Sequence, residues 1–272
     1  MIKLKLITTP IGNLDDLTPR AKLALESSTL VLAEDTRTTR NLFDLLEIPV
    51  VGRKFMAFHD HSQKQIDSLL HTLKSHDECC IVSDAGSPII SDPAYPLVRA
   101  VIDAGGEVVS VPGVTSVVTA LEMSALPPQP YTFHGFLGRK KSEIANKLDE
   151  CTSFGGTHIF FESPHRIEST LDLLATTIPN NDVAICREIT KKFESVYRFK
   201  ARDWKSQEIN VKGEFVVVIH FDKTNQTSMG QKDLKKFAEG YLKKKTPKNL
   251  AKLLAPALGI TSSEAYSLLT DQ

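Results

Sequence analysis

The chain has 272 residues, 41% apolar and 24% charged, and its 33 basic side chains are matched by 33 acidic ones. A neutral chain of this length buries one large core or two modest ones. Its overall charge gives no reason to expect nucleic-acid binding, so any basic surface has to be local.

The first ten residues, MIKLKLITTP, alternate lysine with apolar side chains and lack both a long apolar core and a cleavage site. They predict a strand over 3–8 rather than a signal peptide. No stretch approaches the roughly 18 apolar residues of a membrane span, and a cytoplasmic protein without membrane contact is expected. Thr18 is a helix cap with Pro19 at the first helical position. Strands at 29–33, 54–58, 78–83 and 107–111 alternate with helices at 36–46, 62–75 and 115–124. A further helix is opened by Asp92-Pro93 and striped by Leu97, Val98, Val101 and Ile102. Five β-α units predict a parallel sheet with helices on both faces. Cys79 and Cys80 fall in the fourth strand and so point to opposite faces. With Cys151 and Cys186 they include no CxxC pair, which argues against disulfides and zinc and fits a reducing cytoplasm.

Pro127, Pro128 and Pro130 stiffen the chain after Ala125, and a domain boundary is set there, giving an N-terminal αβα domain over 1–126. The second domain, 127–222, carries strands at 131–136, 157–161, 182–187, 194–200 and 214–221. It has a helix from about Lys141 and another capped by Ser163-Pro164, with Ile167, Leu171, Leu174 and Ile178 on its buried stripe. Consecutive strands at its end predict a mixed sheet. The remainder, 223–272, is a basic helical appendage. From Lys223 to Lys252 it holds nine lysines against Asp233 and Glu239, an excess of seven. Helices are expected over 234–245, from Thr246-Pro247, and after a turn at Gly259, where Thr261 or Ser262 is the cap. That is helix-turn-helix spacing, which many helical hairpins share.

Three loops at strand ends carry glycine and proline: Thr9-Pro10-Ile11-Gly12-Asn13, Asp84-Ala85-Gly86-Ser87-Pro88 and Pro112-Gly113-Val114-Thr115-Ser116. Each alone is an ordinary β-α turn. Together, after the first, fourth and fifth strands, they predict one cleft at the carboxyl edge of the sheet. None holds Lys or Arg, and Asp84 suits a hydroxyl, an amine or a cation better than a pyrophosphate, which argues against NAD, ATP and GTP. Ala33-Glu34-Asp35-Thr36-Arg37 is either a pair of carboxylates at the cleft mouth or a helix-capping arrangement. His59-Asp60-His61 offers two ligands on one face, but no third is near in sequence, so a solvated loop is preferred to a metal site. Phe161-Glu162-Ser163-Pro164-His165-Arg166 and Arg187-Glu188-Ile189-Thr190-Lys191 put charged groups at strand ends in the second half. GxSxG and a spaced Ser-His-Asp set are absent.

Read together, TTPIGNLDDLTPRA, LAEDTRTTRNL, FHDHS, IVSDAGSPIISDPAYPLVRA, VPGVTSVVTAL, HGFLGRK, FFESPHRI, CREITKKFE and GEFVVVI resemble, in this order, the ribosomal RNA small-subunit methyltransferase I family of the tetrapyrrole methylase superfamily. The resemblance covers about residues 4–270. It implies an α/β protein of two αβα domains with S-adenosylmethionine in the cleft between them, and a homodimer without a metal. The implied reaction is methyl transfer to the ribose 2′-hydroxyl of a cytidine in the decoding region of 16S ribosomal RNA in the small subunit. It places Pro10, Asp84, Ala85, Gly86, Pro88, Ser116, Glu162, Ser163 and Glu188 at the cofactor. Ser87 stands where many tetrapyrrole methylases have an acid before the proline. Transfer is an in-line displacement in which the protein mainly positions the groups. Glu34, Asp35, His59, Glu188 and Lys191 are candidates to assist the hydroxyl, with Glu34, Asp35 and Arg37 preferred, while Arg37, Arg166 and Lys191 are alternatively phosphate contacts. Two other readings share the fold: a small-molecule methylase, which has no use for a basic tail, and a non-enzymatic assembly factor with a relict pocket.

Overall fold

The computed structural model describes residues 2–58, 63–91, 94–222, 246–258 and 260–270. Met1–Cys151 and Gly156–Phe221 form one compact unit, and Thr152–Gly155 with Asp222–Gln272 form another. The first unit holds two five-stranded sheets.

The first sheet contains β1 (Lys3–Ile7), β2 (Leu30–Ala33), β3 (Lys54–Ala57), β4 (Cys79–Val82) and β5 (Glu107–Val111), all parallel, in the order β3-β2-β4-β1-β5. β2 and β4 are buried at every position, as expected for strands covered on both faces. On one face α1 (Pro19–Ser27) and α2 (Thr36–Leu45) cover Ile7, Val31, Cys80 and Val82 with Leu25 and Phe43. On the other α3 (Gln63–Leu73) and α4 (Tyr95–Asp103) cover Leu4, Leu32, Cys79 and Ile81 with Leu69 and Leu97. Adjacent Cys79 and Cys80 thus enter opposite cores. Thr18 caps α1 by accepting the Ala21 N–H at 3.1 Å, an interaction worth about 1 kcal/mol. Asp92-Pro93 lie outside the described residues; α4 starts at Tyr95 with Ala94 in the cap position and no side-chain cap. Its predicted stripe holds for Leu97, Val98 and Val101, whereas Ile102 is exposed.

The second sheet contains β6 (Tyr131–Phe136), β7 (Gly156–Glu162), β8 (Asp182–Arg187), β9 (Ser195–Lys200) and β10 (Phe215–Phe221), in the order β6-β7-β10-β8-β9. It is mixed, with β6 parallel to β7 and the other pairs antiparallel. α6 (Lys141–Phe154) and α7 (Ile167–Thr177) pack on one face against Phe160, Ile185 and Val217. The opposite face is covered by α5 (Ser116–Ser124), whose Val117, Ala120 and Leu121 meet Ile159, Ala184 and Val218. Arg198 on β9 also donates to the Ser124 carbonyl at 3.1 Å. The helix expected to complete the first sheet therefore covers the second. Its apolar face finds bare strand surface there, and the loop before it is carried into the groove between the sheets.

The second unit holds α8 (Pro247–Leu258) and α9 (Ser262–Thr270), joined by a small core of Leu250, Ala251, Ala255, Ala265 and Leu269. Thr261 caps α9 reciprocally with Glu264. The Glu264 N–H donates to Thr261 Oγ1 at 3.2 Å, and the Thr261 N–H to Glu264 Oε2 at 2.7 Å, a capping box. The helix expected over 234–245 and the turn at Gly259 lie outside the described residues. Among the described residues no helix is long and apolar enough to cross a membrane.

Candidate functional site

Strand order makes the site. β1 lies between β4 and β5, so the three glycine- and proline-bearing loops leave the sheet side by side at its carboxyl edge, where open α/β sheets bind ligands. They interlock: the Thr9 N–H donates to Gly86 O at 3.0 Å and the Gly86 N–H to Thr9 O at 3.2 Å. Ser83 Oγ donates to the same Gly86 carbonyl at 3.0 Å. Gly86 sits at φ +79, and a Cβ there would stand 3.4 Å from Ile11.

β2 lies on the other side of β4, which brings Glu34 and Asp35 to Asp84. The Asp35 N–H donates to Asp84 Oδ1 at 3.1 Å and the Asp84 N–H to Glu34 Oε2 at 3.4 Å. Asp35 is the cap of α2, accepting the Arg37 N–H at 2.8 Å, and it pairs with the Arg37 guanidinium at 2.6 Å. The side-chain bond from Arg37, with its backbone N–H, holds the Asp35 carboxyl down to about 2. Asp35 is thus a fixed anion near neutral pH and a weak proton acceptor, and the capping reading of this residue is the one realised.

A cavity of about 380 Å³ opens beside these loops, within the range of roughly 300–1,000 Å³ that holds a small ligand. Ala85, Gly86 and Ser116 of the first half face Phe161, Glu162 and Val216 of the second across it, and Glu34 and Glu214 also reach its wall. No Lys or Arg does. A second cavity of about 320 Å³ shares Ile11, Ala85 and Glu214 with the first and adds Pro10, Asp84, Asn41 and one cation, Lys191. Pro88 lines neither; it borders a small cleft with Glu34 and Phe58. Ser163 and Glu188 line none of the three. His59, Asp60 and His61 lie outside the described residues.

Glu188 and Ser163 hold neighbouring groups in place. Glu188 Oε1 accepts the Glu214 N–H at 2.9 Å and Lys191 Nζ at 3.1 Å. Lys191 also pairs with Glu214 at 3.1 Å. Burial opposes the charge on both Glu188 and Lys191. It is outweighed at Glu188 by the Glu214 N–H and Lys191, which lower the carboxyl, and at Lys191 by Glu214 and Glu188, which raise the amine. Gly12 lets this loop approach the first: a Cβ there would stand 2.8 Å from Thr190 Oγ1 and 3.1 Å from the Ile189 carbonyl.

Glu162 has a fully buried side chain. Its carboxylate accepts the Ser163 N–H at 2.7 Å, Thr170 Oγ1 at 2.8 Å and Arg166 Nη2 at 2.6 Å. Arg166 in turn donates to Gly138 O at 2.8 Å and Leu137 O at 3.2 Å. The expected Ser163 cap is not made. Glu162 draws the chain into an extra turn, in which the Ser163 carbonyl accepts the Arg166 and Ile167 N–H groups at 3.1 Å each, and α7 begins only at Ile167. Leu137, Gly138 and Glu214 are structural partners that the charged motifs did not reveal, because they contribute backbone groups or lie far away in sequence, just before β10.

Comparison with known proteins agrees with this architecture. Residues 3–204 match the Tetrapyrrole (Corrin/Porphyrin) Methylases. The chain is 34% identical over 273 residues to the Ribosomal RNA small subunit methyltransferase I of Bacillus subtilis, covering 97% of this chain and 92% of that protein. It is 40% identical over 220 residues to the protein of the same name from Halalkalibacterium halodurans, covering 79% and 75%. The fold is also that of uroporphyrin-III C-methyl transferase from Thermus thermophilus, complexed with S-adenyl homocysteine, with a TM-score of 0.55 at 16% identity, over 80% of this chain and 97% of that one.

Proposed function

The chain belongs to the ribosomal RNA small subunit methyltransferase I family of tetrapyrrole methylases, and on that premise we propose that it methylates 16S ribosomal RNA with S-adenosylmethionine, at the ribose 2′-hydroxyl of a cytidine in the decoding region. The observation that carries the reading is the 380 Å³ cavity, walled by Ala85, Gly86 and Ser87 and by strand ends of both sheets, with no Lys or Arg among the described residues that line it. Such a wall accepts a sulfonium cation and an adenosine and gives a polyphosphate no cationic side chain.

When bound, S-adenosylmethionine supplies an electrophilic methyl group and a neutral leaving thioether. The chain supplies position. Ala85 and Gly86 offer backbone to the cofactor, Ser116 opens α5 beneath it, and Phe161 and Val216 give an apolar floor. The second cavity, with Asn41 and Lys191, is assigned to the acceptor nucleotide, where Lys191 reaches a phosphate by exchanging its Glu214 partner for it. Of the AEDTR carboxylates, Glu34 is the candidate proton acceptor, since Asp35 is committed to Arg37. A homodimer acting on the small subunit in the cytoplasm completes the reading.

The test is calorimetry with S-adenosylmethionine, followed by labelled methyl transfer to small-subunit particles and mapping of the modified nucleotide. Absence of cofactor binding would instead favour an assembly factor. Binding with transfer only to a porphyrinoid would favour a small-molecule methylase. Separately, removal of residues 223–272 is expected to weaken RNA binding and to flatten its dependence on salt, because up to nine lysines leave with it. Binding with an unchanged salt slope would exclude the tail from the interface.

A further inference from the structure

On the face of the second sheet that α6 covers, three side chains converge that methyl transfer does not use. β7 sends His158, Phe160 and Glu162 toward α6 and α7. β6 pairs Thr132 with His158, which sets His134 diagonally beside it. Cys151 comes from the last turn of α6. His134 Nε2 and His158 Nδ1 share a hydrogen bond at 2.8 Å, and Cys151 Sγ stands 3.8 Å from His134 Nε2. All three donor atoms lie within 4.8 Å of one another. We propose that His134, Cys151 and His158 bind one divalent cation of the zinc class.

The donor set is the one such a cation prefers, two imidazoles and a thiol. With bonds of about 2.0–2.3 Å, tetrahedral ligand atoms stand roughly 3.3–3.8 Å apart. The Cys151–His134 distance already fits, the two imidazoles need to separate by about half an ångström, and Cys151 and His158, within 4.8 Å, need to close by up to roughly 1 Å. The rings are held for this. His134 stacks on Phe160 with centroids 4.8 Å apart, and His158 meets the Phe221 ring edge-on at 5.4 Å. His158 and Cys151 are buried while His134 is partly exposed, which leaves a path of entry on its side.

Binding releases the Cys151 thiol proton to solvent and moves the shared imidazole proton to a ring nitrogen facing away. Burial holds the free thiol up at about 12, so without a metal it is a poor nucleophile and a poor redox sensor. The cation would clasp edge strand β6 to β7 and α6. The same two strands end in Phe136, Phe161 and Glu162 at the first cavity, so the clasp is a support and stands independently of the acceptor's identity.

The experiment is cobalt(II) titration of the chelator-treated full-length chain, then displacement by zinc(II). One equivalent should bind, with a thiolate-to-cobalt charge-transfer band, and zinc should raise the thermal midpoint. Cys151→Ser should lose the band and the shift. His134→Gln, on a half-exposed edge-strand residue, should keep its circular dichroism and lose at least about tenfold in affinity. Cys186→Ser, at a thiol in the other core, should behave as wild type. No band at stoichiometric cobalt, or a band retained in Cys151→Ser, would leave only a hydrogen-bonded His-His-Cys chain and overturn the proposal.

Discussion

Replacing Glu162 with alanine is expected to lower the unfolding free energy by about 3 kcal/mol and to abolish methyl transfer, because it leaves a partly buried guanidinium without its anion. Glu162 is not simply one wall of a cavity. It accepts from Ser163, Arg166 and Thr170, and through Arg166 it holds the Leu137 and Gly138 carbonyls just beyond β6. Alanine orphans the Arg166 charge, the Thr170 hydroxyl and the Ser163 N–H together. Glu162→Gln keeps the carbonyl acceptor and loses the ion pair, so its cost should be about half as large. Urea unfolding of both variants measures this. If Glu162→Ala stays within about 0.5 kcal/mol of wild type, the clamp does not hold the strand ends.

Gly86→Val should weaken S-adenosylmethionine binding by roughly 10- to 30-fold, which corresponds to about 1.5–2 kcal/mol. The residue sits at φ +79, where a side chain costs about 1–2 kcal/mol and a β-branched one more. The cheapest relief is rotation of the peptide, which breaks the two bonds to Thr9 and moves the loop against Ile11. Gly105→Val is the control. It carries the same strain at φ +74 with nothing within 4 Å of its Cβ, in the turn before β5 at the far edge of the sheet. Calorimetry should find cofactor affinity reduced at residue 86 and unchanged at 105. Equal affinities in the two variants would remove the Asp84–Pro88 loop from the cofactor site.

Local signals in the sequence were sufficient wherever a residue's partner lies within a turn or two. Thr18 with Pro19, Thr261 with Glu264, and Asp35 with Arg37 are all short-range pairs, and each is made. Alternation and helical stripes likewise separated Cys79 from Cys80 and buried Ile167, Leu171 and Leu174. The same signals misled where a distant group outcompeted the local one. Ser163 reads as a cap, but Glu162 engages its N–H together with Arg166 and Thr170. Ser116–Ser124 reads as the helix of a fifth β-α unit, yet its apolar face covers the second sheet.

The sequence by itself determined two α/β halves, a parallel and a mixed sheet, three loops without Lys or Arg destined for one sheet edge, and the family to which the motifs belong. Periodicity and turn chemistry are local, and they survive folding. Tertiary structure alone decided which strands are neighbours, and with that everything depending on adjacency. The order β3-β2-β4-β1-β5 brought Glu34 and Asp35 to Asp84 and Thr9 to Gly86. The pairing of β6 with β7 under α6 brought His134, Cys151 and His158 together. Those three are separated by 17 and 7 positions and form no recognisable spacing, because a ligand set drawn from two strands and a helix is specified by packing rather than by sequence distance.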